Sequence, residues 1–206
     1  MTKRMRSIHM ALITVLLCIT MIAGGTYALF SDQVKLSNHL SAGNLKVSLY
    51  RTNLVTKTLD TTTGYLVDGG DDSTVDFTNS TDNVFGIANG TALVPESSYD
   101  ATMMIKNEGS VAFAYWIEIV FDDSDDLAFA DQITITVTIG GKNLSVALSE
   151  GLTIGSESAP IGKVTVNTSQ SFNVKAVFEN LATNNDAKGQ EVSFDLIVHA
   201  VQATEA

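Results

Sequence analysis

Few residues in this chain have types and spacings that could do chemistry. Beyond residue 28 there are two histidines, His39 and His199, and the densest carboxylate run is Asp122, Asp123, Asp125 and Asp126 around Ser124. A zinc peptidase of the usual kind needs two imidazoles and a base on one helical face, as H-E-x-x-H supplies, and neither histidine belongs to such a motif. Closely spaced carboxylates in a loop can hold calcium through oxygen ligands, which makes Asp122, Asp123, Asp125 and Asp126 the calcium candidates, with Asp68–Asp72 behind them. The run lacks the spaced glycine and distal glutamate of an EF-hand, and the competing reading is a solvated acidic turn. No G-x-S-x-G elbow and no phosphate-binding glycine loop occurs, and the single cysteine, Cys18, lies in an apolar run. No row of aromatics offers a sugar platform. On the residues alone, no catalytic residue, cofactor or metal ligand is assigned.

The N-terminus is more explicit. Lys3, Arg4 and Arg6 precede the apolar stretch Ala11–Ala23, and Gly24-Gly25 and the small residues Thr26 and Ala28 follow. This is the tripartite pattern of a secretory signal, with the cut expected between Ala28 and Leu29. The stretch is short for the roughly 20 apolar residues of a spanning helix. Cleavage removes three basic and no acidic residues, so the net charge falls from −11 to −14. Such a charge disfavours nucleic acid and anionic membrane as partners. The mature chain has no cysteine, so its stability must come from a packed core and not from disulfides. The C-terminal residues carry neither a tail anchor nor a wall-sorting signal, and release outside the cell is the expectation.

The elements that must position any site read as strands. Apolar residues fall at every second position in 45–50, in 111–121, where Phe113, Tyr115, Ile117, Ile119 and Phe121 share a face, and in 133–139, where every residue is β-branched. Phe172, Val174, Ala176 and Phe178 form another inward row, as do Val192, Phe194, Leu196, Val198 and Ala200. Shorter strands are expected at 102–106 and 163–166, and one helical turn within 125–132. Turn formers separate these runs, and no long amphipathic helix interrupts them, so the expected fold is all-β, a two-sheet sandwich behind a helical signal peptide. The predicted organisation is a signal peptide at 1–28, an N-terminal segment at 29–44 and a sandwich domain at 45–206. Residues 51–95, rich in Thr, Asp, Gly and Asn, read as a long insertion, either irregular or carrying short strands near 65–67 and 75–77.

The signal junction Gly24-Gly25-Thr26-Tyr27-Ala28-Leu29-Phe30-Ser31-Asp32, with Ser41-Ala42-Gly43-Asn44-Leu45-Lys46-Val47 after it, resembles the TasA and camelysin family of exported Gram-positive proteins. Met104–Ser110, a strand running into an N-x-G-S turn, and the closing strand Phe194–Gln202 agree with it. The resemblance implies a jelly-roll-like sandwich, processing by a SipW-type signal peptidase and self-assembly into extracellular biofilm-matrix fibres. It further implies that the mature N-terminal segment adds as a strand to the neighbouring subunit. On this sequence the donor is Leu29–Leu36, with Phe30, Asp32, Val34 and Leu36 on one face and Phe30, Val34 and Leu36 as anchors.

The expected function is therefore a secreted structural subunit and not an enzyme. Two alternatives stand beside it. One is a camelysin-like surface metallopeptidase, in which His39 or His199 is needed for activity. The other is a monomeric adhesin that binds through the 51–95 insertion.

Overall fold

The computed structural model describes residues 44–78, 83–87, 93–121, 127–188 and 190–203. Eleven strands lie in this part: β1 (Val47–Leu59), β2 (Leu66–Asp71), β3 (Val75–Asp76), β4 (Ser98–Asn107), β5 (Phe113–Phe121), β6 (Ile133–Ile139), β7 (Lys142–Ala147), β8 (Leu152–Ile154), β9 (Gly162–Val164), β10 (Ser169–Phe178) and β11 (Phe194–Gln202). The larger sheet has seven strands in the order β2-β1-β4-β10-β6-β7, with β3 also on β1, and the smaller has four in the order β11-β5-β8, with β9 also on β5. Every pairing is antiparallel. The expected all-β, two-sheet sandwich is what the chain forms.

Strict alternation explains the core. β4 buries Tyr99, Ala101, Met103, Ile105 and Asn107, β5 buries Phe113, Tyr115, Ile117, Ile119 and Phe121, and β6 buries Ile133, Ile135, Val137 and Ile139. These rows face one another between the sheets, and Phe172 and Val174 of β10 join them. The helical turn α1 (Leu127–Ala130) tucks Phe129 edge-on against Phe178, 5.3 Å between ring centres.

Two parts differ from the sequence reading. β1 does not stop near Tyr50 but, 13 residues long, runs on to Leu59 within the stretch read as an insertion. Its register against β4 slips between Arg51 and Asn53, so the inward row is Val47, Leu49 and Arg51 before the bulge and Leu54 and Thr56 after it. One extra residue reverses the parity and hides the alternation. The rest of the stretch carries short strands, the second of the two arrangements expected: β2 and β3 pair along β1. β7 and β8 are absent from the sequence reading because β7 is exposed along most of its length and β8 has three residues.

Candidate functional site

The smaller sheet has an open side. Among the described residues β11 pairs on one side only, with β5, over nine residues from Phe194↔Phe121 to Gln202↔Phe113. The inward residues of β5 are buried, yet Phe194, Leu196, Val198 and Ala200 of β11 are only half-buried. On the facing sheet, Val47 and Leu49 at the start of β1 are half-buried too. Phe85 fills the Phe194 end, with ring centres 6.0 Å from Phe194 and 5.8 Å from Tyr99. The outcome is an apolar seam beside a strand edge whose outer backbone groups lack a protein ladder.

The first described residue, Asn44, lies at one end of this seam. Asn44 and Ser110 are joined by two bonds, Asn44 N–H to Ser110 Oγ at 2.8 Å and Ser110 N–H to the Asn44 carbonyl at 2.8 Å. Two residues on, Ala203 N–H bonds the Ala112 carbonyl, so the start of β1 and the end of β11 lie at the same end of the sandwich. Gly109 permits the contact: a Cβ there would stand 2.2 Å from the Asn44 carbonyl oxygen. Asn107, fully buried, shapes the turn by donating from Nδ2 to the Val111 and Val164 carbonyls and accepting from Gly109 N–H at Oδ1. The N-x-G-S turn of the sequence is thus the clamp on Asn44 at the start of β1.

Glu108 tightens that clamp. Its carboxylate meets Lys46 Nζ at 2.9 Å and Lys106 Nζ at 3.2 Å and accepts from the Tyr50 hydroxyl. Hydrogen bonds from Lys46, Ser48 and Lys106 hold its pKa down at about 2.

Arg51 is the one cation on the inward rows of the described strands. Only 5% exposed, it donates from Nη1 to the Val84 carbonyl at 2.9 Å and from Nη2 to Asp71 Oδ2 at 3.0 Å. Its Nε is buried with no acceptor. Asp71 is also bonded by Ser73 N–H and Oγ, which together with Arg51 keeps its pKa below the ordinary value. The carboxylate run at 68–72 is therefore partly neutralised by a protein cation, which weakens its reading as a calcium loop.

His199 lies on the outward face of β11 but is not free. It stacks on Trp116, its direct cross-strand partner, with ring centres 4.8 Å apart and planes 7° from parallel, and its Nε2 lies 2.8 Å from Glu118 Oε2. Tyr115, the neighbour of Trp116, is core. Cross-strand register makes this cluster, and the separate segments gave no sign of it.

The other residues singled out in the sequence lie outside the described residues: Ala28 and Leu29 at the cleavage site, the anchors Phe30, Val34 and Leu36, His39, and Asp122, Asp123, Asp125 and Asp126. Among the described residues no three His, Cys, Asp or Glu side chains come together as a metal would require, and no helix is long and apolar enough to cross a membrane.

Among the described residues the fold and site define an acidic, all-β sandwich whose smaller sheet ends at β11 with a half-buried apolar row. The chain belongs to the family described as camelysin metallo-endopeptidase, whose model matches residues 3–205. No curated protein matches the chain.

Proposed function

We propose that the chain is a secreted structural subunit of extracellular biofilm-matrix fibres, assembled when the N-terminal segment of one copy adds as a strand to the next. The carrying observation is the half-buried inward row of β11, four apolar residues at an edge with no neighbour among the described residues. A strand laid there completes the ladder and covers the row at once, and such addition draws affinity from backbone bonds and register from alternate side chains. The clamp at Asn44 and Ser110 fixes where the donor leaves its own domain. Export through the N-terminal signal and removal of residues 1–28 by a SipW-type peptidase free Leu29 as the donor's first residue.

The test is electron microscopy of mature protein with and without Leu29–Leu36. Filaments are expected from the first and soluble monomers from the second. Equal filament yield from both would sink the reading.

The family description favours a second reading, a metallo-endopeptidase. A catalytic zinc takes three protein ligands and an open position. The described residues do not fit it: His199 and Glu118 supply two groups already bonded to each other, with no third beside them. Stoichiometric zinc in purified protein, with casein hydrolysis lost on His39→Ala or His199→Ala, would establish the enzyme against this geometry.

A further inference from the structure

We infer that Arg51 recognises the carboxylate of Asp32 on the strand contributed by a second copy, a pairing that rests on the strand-addition reading and sets its register. Two inward rows line the seam and run in opposite senses from the end where Asn44 meets Ser110 and Ala203 meets Ala112. From that end β11 presents Ala200, Val198, Leu196 and Phe194. From the same end β1 presents Val47, Leu49, Arg51 and, past the bulge, Leu54, with Phe85 farther on against Phe194. The facing wall therefore reads apolar, apolar, cation, apolar.

Read backwards from Leu36, one face of the donor is Leu36, Val34, Asp32 and Phe30. That face reads apolar, apolar, carboxylate, apolar, one residue for each inward position of the wall. A lone carboxylate carried into an apolar seam is costly unless a cation waits there. Arg51 is that cation, and its buried Nε lacks an acceptor, a deficit that itself costs free energy. Its present hold is exchangeable, because Asp71 is nearly half exposed and has Ser73 as a second partner. When the guanidinium turns, its Nε edge meets a carboxylate with two parallel N–H donors, the fork geometry for which arginine is suited. In this register the donor runs parallel to β11, Phe30 lies toward the Phe194 end, and a slip of two residues sets Asp32 against Leu49 or Leu54.

Filament growth of the mature chain, followed by light scattering and electron microscopy, tests the pairing. Asp32→Asn should slow growth about 10-fold or more, as loss of one partner of a buried charge pair does. Asp32→Glu should keep most of the rate, and Gln33→Ala, on the opposite face, should stay within about 2-fold. In an Arg51→Gln background whose monomer still melts cooperatively, Asp32→Asn should have no further effect. Growth of Asp32→Asn at the unaltered rate, while Val34→Asp blocks it, overturns the pairing and leaves strand addition standing. Filaments that persist without residues 29–36 overturn strand addition itself. A mature chain that stays monomeric, and whose melting temperature falls on Asp32→Asn, places the segment on its own edge and overturns the second copy as occupant.

Discussion

Strands β5 and β11 are paired over nine residues and share the same alternation, yet one row is sealed and the other is half open. β5 has neighbours on both sides, β11 on one and β8 with β9 on the other, so Phe113, Tyr115 and Ile117 have no route to water. Among the described residues β11 has a neighbour on one side only, and the same alternation of side chains stays part-wet. The difference teaches that alternation specifies which face of a strand turns inward, whereas coverage of that face depends on what lies next to the strand. The edge at β2 makes the same point from the other direction. Its sequence, Leu-Val-Asp-Gly-Gly-Asp, breaks up the edge with carboxylates and glycines, a usual protection against unwanted pairing. The outward face of β11 carries Asp195 and a histidine whose neighbour is Glu118, and its inward face is wholly apolar from Phe194 to Ala200.

The contrast can be broken by experiment. Ile117→Ala should cost the monomer about 2–5 kcal/mol in urea unfolding, the range for a fully buried aliphatic residue. Val198→Ala, in the cross-strand partner of Ile117, should cost about 1 kcal/mol in the monomer because that side chain is only partly buried. If assembly covers it, the same substitution lowers the yield of filaments by much more than the monomer loss explains. Equal monomer losses for the two would show that the β11 row is sealed after all. Smaller again is the acid limb at the clamp. The folded pKa of Glu108, about 2 against an ordinary value near 4.5, lies below the unfolded one, so its stabilisation is complete above about pH 4.5 and is lost as pH falls toward 2. Glu108→Gln should flatten the melting temperature between pH 4.5 and 2 relative to the unaltered chain, and an unchanged acid slope would assign that limb to other carboxylates. Smallest of all, Val67→Lys on the β2 edge should change stability by less than about 0.5 kcal/mol and leave assembly untouched. A loss of filaments there would move the joining edge from β11 to β2.

Much of the sandwich is legible because β4, β5, β6 and β10 keep an unbroken two-residue period. The inward residues of 111–121 and 133–139 are those the alternation names. β1 was read short because the bulge at Arg51 and Asn53 swaps its faces midway. Arg51 illustrates the cost: an arginine inside a strand reads as outward, and only the register against Met103 places it on the core side. The stacking of His199 on Trp116 was equally hidden, since it arises from pairing between residues 83 positions apart. The N-x-G-S turn was visible as a motif, but its purpose was not, because a glycine needed for close approach to Asn44 looks like any other turn glycine.

The clamp has a mechanical meaning for a chain of linked subunits. A pull arriving through the N-terminal segment reaches the domain at Asn44 and passes directly into β1, which is bonded along its length to β4 from Val47↔Asn107 to Lys57↔Ser98. Antiparallel ladder bonds lie perpendicular to the strand. Tension along β1 therefore loads them side by side, as in shear, and does not open them one at a time as peeling would. The two bonds between Asn44 and Ser110, with Gly109 closed against them, stand first in that line of force.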